Sequence, residues 1–177
     1  MAKNQLKVVG IQIHRPAPGP SAAAGVQAWI ELIVELENTG APTLYVWASH
    51  RGYEYDAGSQ TLTLHMAERP LVLPPNIIMI SQHPRAPEQI ELAGKSRVKV
   101  RLRIPSFIRR PSPDGKGWIE DPIGPVGHID VRVQHAQQPF DQPGEHETEH
   151  DYRARMQTHG DVVQVRITPA SDSEPPK

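Results

Sequence analysis

Cysteine is absent from this chain of 177 residues. Its absence excludes disulfide bonds, thiolate metal sites and a cysteine nucleophile. Long apolar runs are also missing, since none approaches the roughly 18 residues that a membrane-spanning helix needs. The first residues, MAKNQLKVVGIQIHRP, lack the apolar core and small residues of a secretory signal peptide. From these absences we expect a soluble, cytoplasmic protein that does not contact a membrane.

An excess of either charge is missing as well. The chain has 19 Lys and Arg residues against 20 Asp and Glu residues, and its formal net charge is −1. A nearly neutral chain generates no global field that attracts nucleic acid or an anionic membrane. Any such partner would therefore have to bind a local patch of charge.

Proline, in contrast, is abundant: the chain has 19, which is about twice the ordinary usage. Because proline interrupts helices and central strands, its clusters between apolar runs predict many short strands joined by loops. Several of these runs alternate apolar and polar residues, as half-buried strands do. The clearest predicted strands are 6–13, 29–40, 43–49, 94–105, 128–135 and 161–168, with a hairpin over 53–66.

Seven to nine short strands with turn signals between them predict a mainly β fold, an antiparallel β-sandwich of immunoglobulin-like type. We expect one sandwich domain over 1–170, in which 14–25 is a flexible loop and 105–127 is a long proline-rich loop. The proline-containing run 70–81 is typical of an edge strand. Residues 171–177 have the composition of a disordered tail.

Residues 144–150 read GEHETEH and match two zinc-hydrolase patterns. His146 and His150 complete H-E-x-x-H with Glu147, and they complete H-x-x-E-H with Glu149. A catalytic zinc also needs a third protein ligand and an open coordination position. The sequence after the motif lacks the further histidine of the extended zinc-protease motif. We therefore expect no metal, no cofactor and no catalytic residue, and His146 and His150 remain candidate ligands only of the alternative hypothesis.

The same stretch predicts a short helix near residues 145–158, before the last strand. Acidic residues precede arginines in it, which is the order that the helix dipole favours. Tyr152 and Met156 then define the packed side of the helix, and His146 and His150 face water. A strand that carries Tyr152 and Met156 on one face is the alternative that the pattern leaves open.

A second candidate site is a row of five cations on one face of the predicted strand 94–105. Side chains on one face of a strand recur about every 6.7 Å, a spacing close to that of nucleic-acid phosphates. One hypothesis is therefore an anion-binding ridge that also accommodates nucleic acid. No aromatic residues interleave with the cations to stack bases, which weakens this hypothesis. The residues of this basic row are Lys95, Arg97, Lys99, Arg101 and Arg103.

The favoured interpretation of the basic row is structural. Glu31, Glu35 and Glu37 line the outer face of the predicted strand 29–40. In an immunoglobulin-like sandwich these two strands are neighbours in one sheet. Cross-strand pairs between the glutamates and the cations then stabilise the sheet by about 0.2–1 kcal/mol each.

The proline-rich loop 105–127 supplies the candidate site for a protein partner. Loops longer than about 12–15 residues are uncommon and are often functional. Tryptophan and arginine are frequent among the residues that dominate protein interfaces. An alternative is that the apolar residues of the loop fold back over an open end of the sandwich. The candidate partner-binding residues are Phe107, Arg109, Arg110 and Trp118.

The sequence contains no G-x-S-x-G nucleophile elbow and no G-x-x-x-x-G-K-[ST] phosphate loop. We therefore expect a non-enzymatic interaction or accessory module that binds a protein partner through its loops or a sheet face. The first alternative is an anion-binding or nucleic-acid-binding protein that uses the basic strand 95–103. The second alternative is a zinc-dependent hydrolase that uses residues 146–150.

Overall fold

A computed structural model of the chain describes residues 5–15, 29–69 and 84–170. These residues form a mainly β fold, as predicted, with one helix and eleven strands, which is more than the predicted seven to nine. The strands are β1 (Leu6–His14), β2 (Trp29–Asn38), β3 (Leu44–Trp47), β4 (Tyr53–Asp56), β5 (Thr61–Met66), β6 (Gln89–Leu92), β7 (Arg97–Pro105), β8 (Phe107–Pro111), β9 (Trp118–Pro122), β10 (His128–Ala136) and β11 (Asp161–Ile167), and the helix is α1 (Glu149–Gln157).

Some predicted features fall outside the described residues. The loop predicted over 14–25 lies outside them from residue 16 onward, whereas His14 still belongs to β1. The predicted edge run 70–81 and the predicted tail 171–177 also lie outside them. In the part of the chain that is described, no helix is long and apolar enough to cross a membrane.

β2 is the central strand of a three-stranded antiparallel sheet with the order β1-β2-β7. Alternate side chains of a strand point to opposite faces. Trp29 and Ile33 therefore lie on the outer face with the glutamates, and the other four apolar residues of β2 face the core. The predicted alternation along β2 is confirmed by the burial of these residues. Each is at most 1% exposed: Ile30, Leu32, Val34 and Leu36.

β10 organises the larger sheet, which has the order β4-β5-β10-β3-β6 and in which β11 also pairs with β10. One edge of β10 pairs with β11 over residues 129–135. The other edge pairs in parallel with β5 over 128–133 and then antiparallel with β3 at 135–136. β5 and β3 therefore follow one another along the same edge of β10. The parallel pair makes this sheet mixed, whereas the sequence predicts antiparallel pairing throughout.

Both sheets contribute to one apolar core. Leu32 and Val34 of the smaller sheet belong to the same buried cluster as Leu62 and Val131 of the larger sheet. Each fully buried aliphatic side chain of this kind contributes about 1.5–3 kcal/mol relative to an exposed one. A second, smaller cluster lies where the helix packs, and it consists of Trp47, Ala67, Ala136, Phe140, Tyr152 and Met156.

β1 departs from the predicted alternation at Val9. The sequence pattern puts Val9 on the same face as Ile11, but Val9 is 40% exposed and Ile11 is 2% exposed. The register with β2 skips Val9 between Val8 and Gly10, which is a β-bulge. The extra residue of the bulge makes the preceding residues point to the opposite faces of the sheet from those predicted. Leu6 rather than Val9 therefore lies in the core.

The predicted helix is confirmed, although it begins later than predicted, at Glu149. The Thr148 hydroxyl caps the helix by accepting a hydrogen bond from the Asp151 amide at 3.1 Å. Such a cap stabilises a helix by about 1 kcal/mol. Tyr152 and Met156 are both 0% exposed, so the predicted packed side of the helix is also confirmed.

Residues 105–127 are not the irregular loop that the sequence predicts. They contain a β-hairpin in which β8 pairs antiparallel with β9. Pro111 and Pro122 end the two strands, and a two-stranded sheet tolerates proline there because both of its strands are edges. The prolines interrupt the apolar alternation, which explains why the sequence shows no strand periodicity here.

Candidate functional site

The β8–β9 hairpin places three of the four predicted partner-binding residues on one side. Residues directly opposite one another in an antiparallel pair point to the same side of the sheet. Arg110, the fourth residue, lies opposite Ile119 and points to the other side. We name the shared side the Trp118 face, and its residues are Phe107, Arg109, Pro111, Trp118, Glu120 and Pro122.

Trp118 is 69% exposed, so most of its ring contacts water. The charged neighbours of Trp118 on this face are paired with each other. Arg109 Nη2 lies 2.9 Å from Glu120 Oε1, and the Arg109 guanidinium lies 5.5 Å from the centre of the Phe107 ring. The Trp118 face is therefore an exposed indole beside an ordered, partly apolar surface.

The base of the hairpin is fixed to the domain from its other side. Ile108 packs against the main apolar core. The Tyr53 hydroxyl donates a hydrogen bond to the Phe107 carbonyl at 3.0 Å. Burial raises the pKa of Tyr53, and the charge of Arg109 only opposes this shift, so the phenol stays protonated at neutral pH and keeps donating.

The predicted pairing of the basic row with the glutamates of β2 is confirmed. Arg97 Nη2 lies 3.2 Å from Glu37 Oε1, and Arg103 Nε lies 3.7 Å from Glu31 Oε1. Exposed pairs of this kind contribute about 0.2–1 kcal/mol each. The register sets three cations opposite three glutamates: Arg97 and Glu37, Lys99 and Glu35, Arg103 and Glu31.

The other two cations of the basic row have different surroundings. Lys95 precedes β7 in a left-handed conformation with φ of 60°, and its amine donates to the Thr39 carbonyl. Arg101 lies opposite Ile33, and among the described residues no carboxylate forms an ion pair with its guanidinium. The row is therefore not the uniform anion-binding ridge that the strand spacing suggests.

The zinc-hydrolase pattern does not form the helical platform that its chemistry needs. His146 lies before the helix and His150 lies in its first turn, and both are exposed. The Glu147 carboxylate accepts hydrogen bonds from the Arg155 guanidinium at 2.8 and 2.9 Å and from the Gly144 amide at 2.9 Å. These bonds, that of Arg155 first, lower the pKa of Glu147 to about 2, which makes it a weak general base. In the described parts of the chain, no three metal-binding side chains come together.

A buried charged network is the feature that sequence patterns missed. The Glu68 side chain is 0% exposed and lies 2.9 Å from Arg153 Nε and 3.5 Å from Arg51 Nε. Arg153 Nη2 also donates to the Arg69 carbonyl at 3.1 Å. The network joins the helix to the chain that follows β5. It fixes the position of the helix.

Two buried histidines lie on the larger sheet: His65 is 7% exposed and His135 is 4% exposed. Burial lowers the pKa of His65, and the cations Arg69 and Arg132 lower it further, whereas Glu54 partly opposes them. Burial also lowers the pKa of His135. Both side chains therefore bind a proton less readily in the folded protein than in the unfolded chain.

The protein is expected to lose stability as the pH falls below about 6.5, the ordinary pKa of histidine. In that range the unfolded chain binds more protons than the folded protein, so the free energy of unfolding decreases. The slope is at most about 1.4 kcal/mol per pH unit for each histidine, and Asp161 reduces it for His135. Urea unfolding at about pH 7.5 and about pH 5.5 measures the effect.

Substitution of His65 by glutamine is expected to flatten this slope, and His135→Gln should flatten it too, because burial also lowers the pKa of His135. Glu147 does not disturb the comparison, because the stability that it contributes is lost only below its ordinary pKa of 4.5, towards its folded value of about 2. Equal slopes in the parent and both variants would contradict the role given to the two buried histidines.

Comparisons with known proteins give no functional information, so any functional proposal has to rest on the geometry of this chain. No protein-family model, no curated protein and no solved structure matches it. The Trp118 face is the surface on which the predicted partner-binding residues and an exposed aromatic side chain coincide.

Proposed function

We propose that this chain is a non-enzymatic interaction module that binds a protein partner through the Trp118 face. The observation that carries the proposal is the 69% exposure of Trp118 on a hairpin whose base is anchored to the core by Ile108 from its opposite side. Tryptophan buries about 150–250 Å² when it enters an interface. An exposed indole of this kind is a large apolar surface that a partner can remove from water.

The surroundings of Trp118 support its use as an interface anchor. The residues that dominate binding energy are most often tryptophan, tyrosine and arginine, and their less important neighbours exclude water from them. Arg109 and Glu120 are next to Trp118 on this face and are paired with each other, and Phe107 contacts Arg109 beyond them, so the three provide such a rim. A hairpin that is ordered before binding loses little conformational entropy when the partner docks.

We also propose an immunoglobulin-like arrangement for the two sheets. In such domains strands A, B and E belong to one sheet, and strands C, F and G belong to the other. The order β1-β2-β7 and the pairing of β10 with both β3 and β11 fit this pattern. The β4–β5 and β8–β9 hairpins are then insertions between consecutive strands of the arrangement, and the second of them carries the Trp118 face.

Replacement of Trp118 by alanine is expected to weaken partner binding at least about 30-fold, which corresponds to a loss of about 2 kcal/mol. The folded domain should keep its stability, because the ring is mostly in water. The measurement is co-purification of the tagged full chain from its native cells, followed by a titration of the recovered partner against each variant.

Two matched controls separate the Trp118 face from general surface effects. Trp29→Ala removes another exposed indole, 42% exposed, on a different sheet, and should retain the partner. Arg109→Ala should weaken binding and Arg110→Ala should not, although these neighbours are 59% and 50% exposed and each forms an ion pair within the hairpin. A partner retained equally by the parent, Trp118→Ala and Trp29→Ala proteins would disprove the proposal.

A further inference from the structure

A groove lies on the outer face of the three-stranded sheet, and no residue of the Trp118 face lines it. The groove has a volume of about 650 Å³, and it is lined by His14, Arg15, Trp29, Glu31, Ile33, Arg101 and Arg103. Pockets that bind small molecules have volumes of about 300–1,000 Å³. The groove is therefore large enough for a ligand of ordinary metabolite size.

Apolar side chains interrupt the charged outer face at this groove. Trp29 is 42% exposed at the start of β2, and Ile33 is 9% exposed. Elsewhere along the outer face of β2 the side chains are the glutamates of the cross-strand pairs. A ligand with a planar, apolar body would cover the Trp29 ring and remove its surface from water.

Three arginines line the groove, and Arg15 already donates to two backbone carbonyls. Arg101 lacks an acidic neighbour across the sheet. Its register partner is Ile33, whereas Arg103 is paired with Glu31 at 3.7 Å. Within the described residues the Arg101 guanidinium forms no ion pair, so its donors are available to a ligand. A guanidinium binds carboxylate, phosphate or sulfonate through two parallel hydrogen bonds.

We propose that this groove binds a small molecule that has a planar apolar body, seated on Trp29 and Ile33, and one oxyanion group, held by Arg101. The glutamates along the middle of the same face disfavour a polyanion. Glu31, Glu35 and Glu37 occupy the central strand, and a chain of phosphates that follows the basic row would pass beside all three. A ligand with a single anionic group in the groove meets only Glu31 among them, and Glu31 lies 3.7 Å from Arg103.

The test uses anilinonaphthalene sulfonate, a probe with both features, and anilinonaphthalene without the sulfonate as its neutral analogue. Each is titrated with the full chain while the fluorescence of the probe is recorded. The sulfonate is expected to bind at least about 10-fold more tightly than the neutral analogue. Arg101→Met, which keeps an apolar stem, should remove about this factor, and Trp29→Ala should weaken the binding of both probes.

Arg97→Met is the matched control, since Arg97 lies on the same strand and face but is 60% exposed and paired with Glu37. It should leave the affinity for the sulfonate unchanged. Equal affinities of the Arg101→Met and Arg97→Met proteins would overturn the proposal, as would equal binding of the two probes. Tighter binding of a short single-stranded oligonucleotide, lost in Arg101→Met, would replace the small-molecule ligand by nucleic acid.

Discussion

Replacement of Arg153 by methionine is expected to lower the free energy of unfolding by about 3 kcal/mol. The substitution leaves the Glu68 carboxylate, whose side chain is 0% exposed, without its nearest cation at 2.9 Å. An uncompensated buried charge costs about 3–5 kcal/mol, and the expected loss lies at the lower end because Arg51 remains 3.5 Å from the other carboxylate oxygen. Urea unfolding at neutral pH measures the change.

The two members of the pair should not be equivalent. Glu68→Gln removes the buried charge, and the Arg153 side chain that it leaves is 21% exposed and can be hydrated. This substitution should therefore cost less than Arg153→Met, about 1–2 kcal/mol. The double variant should be more stable than Arg153→Met alone, because no unpaired charge stays buried in it.

Arg166→Met provides the matched control on the surface. Arg166 forms two hydrogen bonds of 2.7 Å with Asp130, yet its side chain is 62% exposed. Its loss should cost much less than that of Arg153, because exposed ion pairs contribute little. If Arg153→Met proved no more costly than Arg166→Met, the network around Glu68 would have no special part in fixing the helix.

The features that could be predicted from the sequence depend on local patterns. Inner and outer side chains alternate along the ten residues of β2 and the nine residues of β7. The period of two therefore determines which residues lie on each face of these strands. Opposite charges on the two outer faces then predict that the strands are neighbours. The helix could also be predicted from a local pattern, because Tyr152 and Met156 are one helical turn apart. Acidic residues precede them and arginines lie later in the segment, which is the order that the helix dipole favours.

The features that could not be predicted depend on register or on distant contacts. The exposure of Val9 follows from a bulge against β2, for which Gly10 was the local cue. In the candidate site, residue types select Phe107, Arg109 and Trp118, but only the β8–β9 register separates them from Arg110. No local pattern connects Glu68 with Arg153, since 85 residues of chain separate them.

Replacement of Gly160 by alanine is expected to lower the free energy of unfolding by about 3–4 kcal/mol, with two physical causes. Gly160 has a φ of 81°, which costs an alanine about 1–2 kcal/mol. A Cβ at this position would also lie 2.1 Å from the His135 carbonyl oxygen and 2.8 Å from the Ala136 Cβ. The chain between the helix and β11 would have to move away from β10, at a cost like that of overpacking, about 1–3 kcal/mol.

Gly115→Ala separates these two causes. Gly115 has a similar φ of 71°, but a Cβ built there meets nothing within 4 Å. Alanine at this position should therefore cost only the backbone term, about 1–2 kcal/mol. Unfolding in urea of both variants gives the difference, which measures how closely the turn after the helix approaches β10. If the two substitutions had equal effects, the turn would move away from β10 without strain. The network around Glu68, rather than a fixed turn, would then hold Tyr152 and Met156 in the core.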